Sequence, residues 1–93
     1  MKTSQAEVKT GSAVSYMKQL CRHWAHKFPV EFDESRGTIE LSQAKCVLNA
    51  GPEVLGVRLE MPDETDQGRM EQVVAEHLQR FGFREALVFE WVR

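Results

Sequence analysis

Met70, Val73, Val74, His77, Leu78 and Phe81 recur at steps of three and four residues, the strongest periodic signal in the chain. A helix with that pattern carries one apolar stripe, and a chain of 93 residues must supply the surface that buries it. Pro62-Asp63 predicts its start, with Asp63 as the cap and Glu64 and Asp66 near the positive end of the helix dipole. Gly82 predicts its end as a left-handed cap. His77 stands on the apolar face, which makes it the buried polar candidate: its ring must find a hydrogen-bond partner or stay neutral.

The covering surface comes from segments that alternate polar and apolar side chains, the period of half-buried strands. Gln5-Ala6-Glu7-Val8 reads as a first strand, and Thr10-Gly11-Ser12 as the turn after it. Val30 to Glu34 and Thr38 to Leu41 form a hairpin about Ser35-Arg36-Gly37, with Val30, Phe32, Ile39 and Leu41 inward. The inward set then changes parity to Cys46, Leu48 and Ala50, so Ser42-Gln43-Ala44 is expected to hold a bulge or short loop. Val54 to Met61 gives the next strand, and Leu87-Val88-Phe89-Glu90-Trp91-Val92 reads as a last strand buried on both sides.

A second helix pattern runs from about Ala13 to Lys27, with Ser12 as its cap and Pro29 as its stop. It sets Ala13, Met17, Leu20, Cys21, Trp24 and Phe28 on one face. The expected fold class is α+β: a two-layer sandwich in the order β-α-β-β-β-α-β, with a largely antiparallel sheet and two helices packed on one face. Residues 1–93 are expected to make a single domain.

With 42% hydrophobic and 28% charged residues the composition is that of a folded chain. Twelve Lys and Arg against 14 Asp and Glu leave a formal charge of −2, which provides no field for nucleic acid. No signal-peptide pattern and no apolar run of membrane-spanning length occur, so the expectation is a cytoplasmic protein with no membrane partner. Cys21 and Cys46 are expected as buried thiols.

Chemistry concentrates in Leu20-Cys21-Arg22-His23-Trp24-Ala25-His26-Lys27-Phe28. Cys21, His23 and His26 are of metal-ligand type, yet on a helix Cys21 points about 140–160° away from both histidines, so the three cannot converge on one ion. Neither a metal nor a cofactor is therefore expected. His23, His26, Arg22 and Trp24 stand as a ligand or partner surface. No phosphate-cradling glycine loop occurs, and cysteine–histidine catalysis would need a pocket that sequence spacing does not supply. No catalytic residue is assigned.

Tyr16 to Phe28, Val30-Glu31-Phe32-Asp33 and His77 to Glu85 carry a family likeness: nearly the whole chain resembles the bacterial domain-of-unknown-function family 2218. The resemblance implies a small bacterial protein, some of whose relatives are attached to or encoded near siderophore-interacting flavin reductases. It points to a non-enzymatic accessory or binding domain of iron–siderophore metabolism, with such a reductase or a small ligand as partner near His23 and His26. It supplies no catalytic residues. The alternative is a structural module acting as a homodimer through an exposed sheet edge or helix face. A small hydrolase or reductase would require Cys21 or Cys46 within reach of a histidine.

Overall fold

A computed structural model describes residues 1–93. The elements are β1 (Lys2–Lys9), α1 (Ala13–Trp24), β2 (Val30–Phe32), β3 (Arg36–Leu41), β4 (Ala44–Ala50), β5 (Val54–Met61) and α2 (Gln67–Phe81). All strand pairs are antiparallel, in the sheet order β1-β5-β4-β3-β2. Helix α1 carries the chain from one edge of the sheet to the other, and β2 to β5 return as successive hairpins until β5 lies against β1.

The register joins the inward residues of each strand into rows. Ile39 faces Cys46, Cys46 faces Leu59, and Leu59 faces Ser4; Leu48 faces Val57, which faces Ala6. Of these, Ile39, Cys46, Leu48, Val57 and Leu59 pack with Met17, Leu20, Cys21 and Trp24 of α1 and Met70, Val74 and Leu78 of α2 in one hydrophobic cluster. The opposite sheet face carries Gln5, Glu7, Lys9, Lys45, Asn49, Arg58 and Glu60. The protein is thus an α+β fold of two layers, with both helices on one side of an antiparallel sheet.

Four strands, not three, separate the helices. Ser42 and Gln43 are a two-residue reversal with Leu41 paired to Ala44, and such a reversal exchanges odd for even positions on the inward face. Of the two expected alternatives, a bulge or a short loop, the parity change marks the short loop, which is the turn of a hairpin.

Leu87 to Val92 is not a strand of the sheet; its one bridge joins Val92 to Gln5 on the outer edge of β1. Its side chains alternate, with Leu87 buried, Phe89 and Trp91 half-buried, and Val88, Glu90 and Val92 exposed. It is covered on one side only, against the expectation of burial on both. Extending the Gln5–Val92 register by two residues would set Glu90 opposite Glu7, and like charges facing each other oppose pairing.

The helix ends also differ from the local signals. α1 stops at Trp24, before Lys27, and closes with Lys27 N–H and Phe28 N–H donating to the Trp24 carbonyl. Ser12 makes no side-chain cap; its own N–H donates to Thr10 Oγ1 at 3.0 Å. The cap of α2 is Asp66, which accepts from Arg69 N–H at 3.1 Å, and not Asp63. Gly82 has φ −94° and so is no left-handed cap. The space beside it is tight: a Cβ there would lie 2.8 Å from Leu87 Cδ1 and 3.1 Å from the Tyr16 ring, so Leu87 would have to shift.

Candidate ligand cleft

The last turn of α1, the following Ala25 to Phe28 segment, the middle of α2 and the Ser42-Gln43 turn enclose a cleft of about 550 Å³. Each wall follows from a local cause. The apolar stripe of α1 takes Trp24 inward and leaves it 6% exposed, while His23 one position earlier stays at the surface. Pro29 ends the helical run, and the turn before it presents His26 and Lys27. The stripe of α2 brings Met70, Val73 and His77 to the opposite wall.

Four rings gather on one side. The His77 centroid lies 4.8 Å from that of Trp24 and 5.2 Å from that of His23, and His23 meets the edge of Phe81 at 5.9 Å. His77 Nδ1 is 2.7 Å from the Val73 carbonyl. That oxygen can only accept, so Nδ1–H donates and Nε2 is the nitrogen left for a ligand. His77 is half-buried, and one of its two ring nitrogens is satisfied by its own helix.

The lining contains His23, His26, His77 and Lys27 and not one carboxylate. Arg22 is elsewhere: it is exposed, with its guanidinium 6.0 Å from the centre of the Phe32 ring on β2, and it does not line the cleft. Nor do Cys21, His23 and His26 converge, because Cys21 sits in the core and no three His, Cys, Asp or Glu side chains form a metal-holding group. Burial pushes the Cys21 thiol up to about 11 and the Cys46 thiol up to about 12. Both thiols are fully buried and protonated, so neither is placed to attack a substrate.

The family model described as "Uncharacterized protein conserved in bacteria (DUF2218)" matches residues 5–92. The chain belongs to the DUF2218 family. Its fold is similar to the NMR structure of PA4090 from Pseudomonas aeruginosa, with a TM-score of 0.82 and 41% sequence identity over 99% of this chain and 96% of that one. Comparison with curated proteins yields no match.

This DUF2218 chain also carries two polar networks that its sequence motifs do not announce. Ser4, on the inward face of β1, donates to Glu71 Oε2 at 2.6 Å and accepts from Gln67 Nε2 at 2.7 Å. Arg93 completes the network with Nε and Nη2 on the two Glu71 oxygens, at 3.0 and 2.9 Å. The hydrogen bond from Arg93 is the main cause that holds the Glu71 carboxyl below its usual range, in spite of burial. A signal for Glu71 does exist: with Val74 and Leu78 it completes an i, i+3, i+7 set on the buried stripe.

In the second network Tyr16 donates its hydroxyl to Glu85, which also accepts from Thr10 Oγ1 at 3.1 Å. That hydrogen bond, with burial next, raises the Tyr16 phenol above its ordinary value. Glu85 lies in a turn with no periodic pattern, so only the fold reveals its partner.

Proposed function

We propose that this protein is a non-enzymatic binding domain whose cleft between α1, α2 and the β3–β4 turn takes a small, planar, anionic ligand. The observation that carries the reading is the lining itself. In a chain with net charge −2, the cleft is lined by three imidazoles, Lys27 and Trp24 and by no carboxylate. Ammonium and imidazole N–H groups donate to an anion, and the aromatic rings favour a flat partner. Trp24 and His77 are held by packing and by a backbone hydrogen bond, so these two walls stand ready before a ligand arrives.

The process we assign is iron–siderophore metabolism in the cytoplasm, on the strength of the family resemblance. Aryl carboxylates and catecholates, the chelating groups of one siderophore class, have the flat anionic chemistry that the lining favours. The ligand would be such a compound or its ferric complex, either free or passed to a siderophore-interacting reductase. His23, His26 and Trp24 are the contact residues of this reading, with His77 behind them.

Chemical-shift titration of the apo-protein with 2,3-dihydroxybenzoate, its ferric complex, free ferric and ferrous iron, zinc and haem tests it. Saturable shifts at His23, Trp24, His26 and His77 with the anionic aromatic compounds are expected, and they should weaken in Lys27→Glu. No perturbation at these residues with any of the compounds would sink the ligand reading.

A further inference from the structure

The antiparallel sheet has two ends, and they are unequally protected. β2 is three residues long, a short edge of the kind that discourages pairing. β1 is eight residues long, and its outer edge is covered at two points: Gln67 Nε2 donates to the Thr3 carbonyl at 3.0 Å, and Gln5 exchanges both backbone hydrogen bonds with Val92, N–H to carbonyl at 2.8 Å and 2.7 Å. In an antiparallel strand the residues at alternate positions aim their N–H and C=O to the same side. Glu7 and Lys9 therefore aim theirs outward like Gln5, and their backbone groups have no partner. Beside them lies a groove of about 1110 Å³, bounded by Glu7, Lys9, Glu53, Glu90 and Val92.

The protein's own last segment does not fill this groove, since its register would bring Glu90 onto Glu7. A strand that brings a cation to Glu7 and a carboxylate to Lys9 would. β1 itself is such a strand. Turned about a twofold axis through Val8, one copy sets its Glu7 against Lys9 of the partner subunit and its Lys9 against Glu7 of the partner subunit. Both are positions whose free backbone groups match in an antiparallel pair, so each exchanges two N–H···O=C bonds. The partner's Lys9 then also stands on the side of Glu90, a second carboxylate that bounds the groove. Val92, 71% exposed on the rim of the groove, is covered in the same movement.

We infer that β1 is an isologous dimerisation edge, at which two copies join their sheets through reciprocal Glu7–Lys9 pairs with the helices on the same side. The helix layer and the ligand cleft are left untouched, so this assembly is independent of what the cleft binds.

Sedimentation velocity from ~10 µM to ~1 mM decides it, a range that spans the affinity of a small, polar interface. The wild type should show concentration-dependent dimer. Glu7→Lys alone and Lys9→Glu alone each set like charges against each other twice, and each should weaken the dimer by more than about tenfold. An equimolar mixture of the two variants sets lysine against glutamate in both pairs and should restore a heterodimer, as should the double variant E7K/K9E with itself. Both positions are exposed, and unchanged circular dichroism would show that each variant is folded. A wild type that is monomeric throughout, single variants that dimerise as the wild type does, or a mixture that stays monomeric would each overturn the assignment.

Discussion

Arg93 places two guanidinium nitrogens on the two carboxylate oxygens of Glu71, at 2.9 and 3.0 Å, and so ties the last residue of the chain to the buried side of α2. The same Glu71 accepts from Ser4 on β1, so one carboxylate joins the first strand, the second helix and the carboxy-terminal segment. Fork-to-fork geometry makes this an ion pair of defined orientation.

Loss of Glu71 should therefore be felt in stability. Glu71→Ala leaves Ser4 without its acceptor and frees the Arg93 segment, at a cost of about 1–3 kcal/mol in urea denaturation. The pH dependence has a definite sign. The folded carboxyl lies below its ordinary 4.5, so the contribution is complete above that value and disappears as pH falls through the lower, folded-state value. In Glu71→Gln the loss of stability over this acid range should be smaller than in the wild type.

Tyr16 is the single tyrosine, so an ultraviolet phenolate titration reads it alone. The midpoint should lie above 10.0, because the hydrogen bond to Glu85 and burial both favour the neutral phenol. The stability tied to this shift is complete below 10.0 and is lost as pH rises through the folded-state value. Tyr16→Phe should remove about 1 kcal/mol, the usual worth of one such bond. An unshifted midpoint would remove the Tyr16–Glu85 contact from the account.

Gly37 and Cys21 form a coupled pair across the helix–sheet interface. A Cβ at Gly37 would stand 2.8 Å from Cys21 Sγ, with Phe32 Cβ at 3.3 Å and Met17 Cγ at 3.4 Å. Gly37→Ala should cost about 1–3 kcal/mol through overpacking. Cys21→Ala removes the sulfur that is struck, so the double variant should be more stable than the sum of the two single losses predicts. Thermal melts of the four proteins measure that coupling.

The thiols provide a kinetic check on the core. Cys21 and Cys46 are fully buried and held protonated by burial, at about 11 and about 12. A disulfide reagent at pH 8 should label them at the rate of protein opening and give immediate reaction of both only in denaturant. Rapid labelling of the native protein would contradict the packing of α1 on β3 and β4.

What could be read from the chain alone is whatever repeats within a few residues. The three-and-four spacing of Met70 to Phe81 marks α2, and the alternation in Val54 to Met61 marks β5, because a helix or strand turns its side chains to a face with a fixed period. The inward sets Ile39 and Leu41, then Cys46, Leu48 and Ala50, and the α+β class, follow from the same periods. Contacts between distant segments leave no such period. That Arg93 reaches Glu71, that His77 stands beside His23, that Asp66 rather than Asp63 caps α2, and that Leu87 to Val92 keeps the alternation of a strand while making one bridge were decided by how the layers stack. The physical reason is that local backbone preference specifies which face a residue takes, whereas the partner on that face depends on the closure of chain loops between them and on charges, such as Glu71 and Arg93, that meet only in the folded protein.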